Sequence, residues 1–174
     1  MLLTQEITSH SKRMNIPYAS WMPIQNYDPI YGSFLSVSSF SSFATAKAIP
    51  YDTTVVAKDI RLGNPTSRIL ILVQGVYKFS YSIQFDRASA GSTGVYIFLK
   101  VNGVTVPNSS SYVVLQGATA EIFPMCEYLL PLNANDYVEV FVYSSANDVI
   151  ASFFPSTINY PAVPSIITNI YKVS

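Results

Sequence analysis

Val76–Phe85 alternates strictly between two kinds of side chain, and nothing else in the chain restricts its fold as tightly. Tyr77, Phe79, Tyr81, Ile83 and Phe85 are apolar or aromatic, whereas Lys78, Ser80, Ser82 and Gln84 are polar. A β-strand turns successive side chains to opposite faces, so a period of two marks a strand with one buried face and one wet face. The five apolar residues are therefore expected in the core. A loop of small residues, Asp86–Gly94, leads to a second apolar strand, Gly94–Val101, which ends at Asn102-Gly103. Asn-Gly supplies the two positive-φ positions of a tight hairpin turn, so Val104–Val106 is expected to pair back.

The same punctuation continues along the chain. Strands are expected at Tyr31–Ser38, Thr45–Ile49, Tyr51–Ala57, Ser67–Val73, Tyr112–Leu115, Glu121–Leu130, Tyr137–Ser144, Val149–Phe154 and Ser165–Val173. Ser67–Val73 is aliphatic on both faces, the pattern of a centrally buried strand. Pro124 lacks an N–H and demands a bulge or an edge position. About ten short strands at turn spacings of roughly eight to twelve residues predict an all-β fold, a single jelly-roll β-sandwich. No internal repeat points to a propeller or solenoid.

Residues 1–30 read as an N-terminal arm to a jelly-roll domain over 31–174. Pro17, Pro23 and Pro29 punctuate a stretch that carries Tyr18, Trp21 and Tyr27. Prolines at that density exclude a central strand. An aromatic segment without a core of its own must pack on this domain's edge or on a neighbouring subunit. Tyr18, Trp21 and Tyr27 are the candidate subunit-interface residues.

Only 11% of the 174 residues are charged, against about 25% in an ordinary soluble domain, while aromatic residues reach 14%. Such a surface suits burial against neighbouring subunits. Ten basic and ten acidic residues cancel, and the basic ones are scattered except for Lys12-Arg13. A nucleic-acid partner, which calls for a concentrated basic face, is not expected. The single cysteine, Cys126, forbids an intrachain disulfide and fits assembly in a reducing cytoplasm; it is expected to be a small buried hydrophobe. The longest aliphatic run, Ile69–Val73, is too short to span a bilayer, and Glu6 and His10 interrupt the segment where a secretory leader would lie.

No catalytic constellation emerges, and neither an enzyme nor a cofactor is expected. The sole histidine, His10, lies in the arm, without the clustered ligands of a metal centre. Asp86 with Asp136 or Asp148 is a candidate calcium cluster, though no EF-hand spacing supports it. Glu139 interrupts an aromatic face of Tyr137, Phe141 and Tyr143. It is expected outward on the wet side of an edge strand, the alternative being a sugar-binding or interface carboxylate. Asn108-Ser109-Ser110 has the form of a glycosylation sequon and is read as a turn.

Gly75-Val76-Tyr77-Lys78-Phe79 resembles the G-x-Y-x-F strand of the complement-type and tumour-necrosis-factor-like jelly-roll superfamily. Val95–Val101 with Asn102-Gly103 resembles its strand ending in an Asn-Gly hairpin. Leu132-Asn133-Ala134-Asn135-Asp136-Tyr137-Val138 is similar to its L-x-x-G-D-x-V turn and strand, with Asn135 replacing the usual glycine and leaving that turn's geometry open. Within the superfamily the Ser/Tyr-rich composition, the absence of disulfides and the tail Pro161–Ile167 look like the forms found in large DNA viruses and bacteriophages. That resemblance implies a virion structural protein, a minor capsid or penton-like component assembled in the host cytoplasm. Its expected partners are itself, as a trimer or pentamer, and other capsid proteins. The alternative it implies is the receptor- or glycan-binding head of a spike or fibre, using Ser89–Thr93, Asn108–Ser111 and Ser144–Asp148.

Overall fold

In the computed structural model, which describes residues 28–117 and 119–174, the inward residues of the alternating run are sealed. Tyr77, Phe79, Ile83 and Phe85 have no exposed surface and Tyr81 is 2% exposed. Sixteen strands follow one another, and no helix occurs among the described residues. They are β1 (Tyr31–Ser36), β2 (Phe40–Ser41), β3 (Lys47–Ala48), β4 (Thr53–Lys58), β5 (Ile60–Leu62), β6 (Ile69–Ile71), β7 (Gly75–Ile83) and β8 (Phe85–Arg87). There follow β9 (Ser92–Val101), β10 (Val104–Thr105), β11 (Ser111–Gln116), β12 (Glu121–Ile122), β13 (Met125–Leu132), β14 (Tyr137–Ser144), β15 (Val149–Ala151) and β16 (Ile166–Lys172).

A five-stranded sheet runs β13-β7-β16-β1-β4. A second runs β10-β9-β14-β6-β5, with β11 also paired to β9 and β3 to β14. All named pairings are antiparallel. In a small third sheet, β12-β8-β15-β2, β8 and β12 continue β7 and β13 of the first past a bend. That bend falls at Gln84 and at Phe123-Pro124, where Ile83 N–H donates to the Pro124 carbonyl (3.2 Å) and Gln84 N–H to that of Ser165 (2.9 Å). Pro124 thus ends one strand and begins another, and β13 after it is an edge strand, as a missing N–H requires.

The core lies between the sheets. Phe34, Tyr77, Phe79, Ile166 and Ile170 from one face meet Ile69, Ile71, Val95, Ile97, Leu99, Val138, Val140 and Val142 from the other. One polar pair crosses it: the Tyr51 hydroxyl lies 2.7 Å from the Thr168 hydroxyl, with both residues buried. Burial drives the phenol's pKa well above its ordinary value, so it stays neutral and hydrogen-bonded. The Gly75 of the G-x-Y-x-F motif has a steric origin. A Cβ there would come within 2.5 Å of the Ser174 carbonyl and closer still to the Lys172 side chain.

Several expectations need correction. Ser67–Val73 is not buried on both faces: β6 keeps three of those residues, Ile69 and Ile71 point inward, and Leu70 and Leu72 face out. Within its sheet β6 lies between β14 and β5, and nothing covers its outer face fully, so Leu70 stays half-buried and Leu72 exposed. Asp86–Gly94 is largely strand, shared by β8 and β9. The two-residue β2 and three-residue β5 were not anticipated, being too short to show a period. Asn102 and Gly103 take φ of 53° and 80°, the mirror-image turn expected of them. Asn135 takes φ of 72°, so the asparagine adopts the left-handed conformation that glycine would supply. Tyr18, Trp21 and Tyr27 lie outside the described residues.

Thr168→Val should cost about 1–3 kcal/mol, because it strands a buried hydroxyl on Tyr51. Combining it with Tyr51→Phe should cost less than the sum of the single changes, since both polar partners then disappear. Urea unfolding of the three variants checks this; strict additivity would show that the pair is not coupled.

Candidate functional site

Three surfaces combine chemistry-bearing side chains, and sheet register assembles each. On the outer face of the second sheet, β14 and β9 pair Tyr143 with Tyr96, Phe141 with Phe98 and Glu139 with Lys100. β11 sets Tyr112 opposite Tyr96. Ring centroids are 4.7 Å apart for Tyr96 and Tyr112, 6.0 Å for Tyr96 and Tyr143, and 5.6 Å for Phe98 and Phe141. Lys100 Nζ lies 4.2 Å from the Phe141 centroid, within cation–π range. Tyr112 reaches this position because its partner strand carries Gly94, where a Cβ would sit 2.7 Å from the ring. Ala46, Tyr96, Phe98, Ser110 and Tyr143 line a shallow depression of about 410 Å³ here.

Glu139 does not lie on the wet side of an edge strand. β14 is flanked by β9 on one side and by β6 and β3 on the other, and Glu139 is only 6% exposed. The Ser67 hydroxyl donates to its Oε1 at 2.7 Å, and Arg68 Nε stands 3.8 Å from the same oxygen. The Arg68 guanidinium lies 4.4 Å from the Tyr137 centroid and donates to the Asn64 carbonyl at 3.4 Å. A buried carboxylate needs such partners. Ser67 and Glu139 are far apart in sequence, so no local pattern could reveal the pairing.

The third surface is the side of the sandwich where β11 and β13, the edges of the two sheets, lie together. Inward residues of β13 tie the edges: the Tyr128 hydroxyl donates to the Ser109 carbonyl at 2.8 Å, and Cys126 Sγ lies 2.9 Å from Ser111 Oγ. Cys126 is half-buried, in keeping with a structural thiol. Three outward residues here are apolar and open: Phe123, Met125 and Leu129 are 53%, 71% and 66% exposed. Glu127, outward between Met125 and Leu129, pairs with Lys78 at 2.6 Å. Tyr112 and Val114 of β11 face out from the second sheet instead.

Of the three loops expected to gather at a binding site, two meet and one does not. Arg87, buried beneath Ser89–Thr93, donates to the carbonyls of Ala90 (2.8 Å) and Gly91 and pairs with Asp148 Oδ2 (2.7 Å). The Thr93 hydroxyl also reaches Asp148, at 3.1 Å, so this side chain braces Ser89–Thr93 against Ser144–Asp148. Asn108–Ser111 lies elsewhere along β9, where the buried Ser109 hydroxyl accepts from Leu99 N–H at 3.0 Å. With Asn108 at φ of 59°, that segment is a turn. Asp136 and Asp148 sit at opposite ends of β14; Asp136 takes bonds from the Asn102 amide and the Asn133 N–H, both at 2.7 Å. Asp136 and Asp148 are thus kept apart, and no group of three or more metal-ligating side chains gathers among the described residues.

No protein-family model and no curated protein matches the sequence. Solved structures do match it. The globular domain of zebrafish complement 1qA protein is 16% identical, covers 84% of this chain and 98% of its own, and superposes with a TM-score of 0.50. Murine APRIL is 10% identical, covers 83% and 99%, and superposes with a TM-score of 0.53. At those identities the likeness establishes the fold alone: the chain is an all-β jelly-roll sandwich, similar in fold to these two proteins.

Burial would raise the pKa of Asp148, but the Arg87 and Thr93 donors outweigh it and hold the carboxyl below its ordinary value. A group depressed by folding stabilises the protein above its unfolded pKa, and that contribution fades as pH falls through the folded one. Asp148→Ala should therefore cost about 3 kcal/mol at pH 7, because it leaves the buried Arg87 unpaired. It should also flatten the loss of stability below about pH 4. Thermal melts from pH 7 to pH 2 check both; an unchanged acid slope would contradict the assignment.

Proposed function

We propose that this chain is a non-enzymatic virion structural protein, a minor capsid or penton-like subunit that works by assembling into a symmetric homo-oligomer. The observation that carries the assembly reading is the apolar surface on β13. It is the outermost strand of its sheet, and although Pro131 and the Glu127–Lys78 ion pair lie on it, Met125 and Leu129 stand outward and open, an apolar surface that a second copy would cover. The same outer face continues past Lys78 to Tyr171 and to Val55 and Val56 on β4, all three between 41% and 58% exposed. Such a face can meet its own copy about a two-fold axis or a different surface of the next subunit head to tail, and a ring results when the rotation closes. The low charge, the single cysteine and the Ser/Tyr-rich surface support the virion setting. In this reading Tyr18, Trp21 and Tyr27 supply aromatic anchors to the adjoining subunit.

A second reading is a receptor- or glycan-binding head, and the open Tyr96, Tyr112 and Tyr143 cluster favours it, because tyrosine rings offer sugars both a stacking face and a hydroxyl. A glycan array probed with the intact protein separates the two.

Light scattering of size-fractionated protein tests the assembly reading. The wild type should form one discrete oligomer, and Met125→Lys/Leu129→Lys should yield folded monomer, because both positions are already exposed in the subunit. Trp21→Ala should weaken the oligomer without altering the subunit's circular dichroism. Oligomers untouched by the lysine pair would overturn the assigned interface.

A further inference from the structure

The hairpin β5–β6 brings two guanidinium groups onto one outward face. Arg61 pairs with Leu70 across the hairpin, and Arg68 precedes Leu70 by two residues, so the two arginines stand on a cross-strand diagonal. Bonds from Gly63 N–H to the Arg68 carbonyl (2.7 Å) and from Arg68 N–H to the Pro65 carbonyl (3.1 Å) fix the turn between them. With Leu62, Gly63, Asn64, Leu70 and Tyr137 they line a depression of about 450 Å³, within the range of small-molecule pockets.

The two arginines differ in what they already hold. Glu139 Oε1 stands 3.8 Å from Arg68 Nε, an ion pair without a hydrogen bond, Tyr137 supports the guanidinium plane, and Asn64 takes a bond from Nη1. Arg68 is thereby oriented, and its Nη2 keeps no hydrogen-bond partner among the described residues. Arg61 makes neither a hydrogen bond nor an ion pair among those residues. Glu139 balances Arg68, and no carboxylate among the described residues pairs with Arg61. Glu139 is buried with Ser67, Asp136 is held by Asn102 and Asn133, and Asp59 bridges to neither arginine. Arg61 thus carries an uncompensated charge beside a guanidinium whose outer edge is open, and an oxyanion could take charge-assisted bonds from both.

We propose that this depression is a binding site for an acidic sugar or similar small organic oxyanion. The Arg61 guanidinium and the free edge of Arg68 take its carboxylate or sulfate. Leu70 and the Tyr137 ring take its apolar face, since a planar fork of N–H donors suits either oxyanion and aromatic carbon suits a sugar ring. The site is separate from the β11–β13 side, so it stands or falls independently of assembly.

Calorimetric titration of the full chain with glucuronate, glucose 6-sulfate and glucose tests it. At least one acidic sugar should saturate one site per chain, and glucose should show no saturable binding. Arg61→Gln should weaken the acidic sugar about tenfold or more, as expected for losing a charge-assisted contact, while Arg61→Lys should retain part of the affinity. Binding of glucuronate alone would assign a carboxylate, and of glucose 6-sulfate alone a sulfate. No saturable binding of either acid, or affinity unchanged in Arg61→Gln with an unaltered melting temperature, would overturn the proposal.

Discussion

Everything in this molecule is arranged around the need to cover one aromatic stripe. Five successive inward positions of β7 and β8 carry Tyr77, Phe79, Tyr81, Ile83 and Phe85, and a single sheet cannot bury them. The second sheet presents a smooth aliphatic surface of valine, isoleucine and leucine from β9 and β14, into which the large rings pack. Large side chains on one face thus meet branched aliphatic ones on the other. Residues that lie farther out are then free to take other roles.

Those roles use a very small set of charges. Glu139 orients Arg68, Asp148 braces Arg87 and two loops, and Asp136 links the turn at Asn133 to the hairpin at Asn102. Asp52 joins the end of β1 to β4 by accepting bonds from the Ser36 and Ser38 hydroxyls and the Val37 N–H. Burial works against its ionised form, but these donors prevail and lower its pKa. What remains at the surface is mainly hydroxyl and aromatic, and the open Met125 and Leu129 of β13 are, on our reading, committed to another copy of the chain.

The fold was legible where the sequence wrote a period. The stripe of β7, the Asn-Gly hairpin, the valines of β14 and the Pro124 break all stand where local pattern places them. The site was legible only in part. Glu139 showed itself as an anomaly on an aromatic face, yet its burial depends on Ser67 and Arg68 from a distant hairpin, which periodicity along β14 cannot express. Arg61 gave no signal, because a lone arginine in a short strand acquires meaning only when β6 lays Arg68 beside it. Asn135 shows the reverse case: a departure from the motif's residue type left the backbone conformation intact, since asparagine also tolerates positive φ.

The central claim is that β13 is an edge only within the isolated subunit. Amide hydrogen exchange of the assembled full-length protein, resolved to individual residues, tests it directly. The account predicts that amides of Met125–Leu132 that turn away from β7 are protected nearly as strongly as those bonded to it, and become labile in Met125→Lys/Leu129→Lys. Outward amides that exchange in the wild type as fast as an open strand edge would show that this side faces solvent, and would contradict the account.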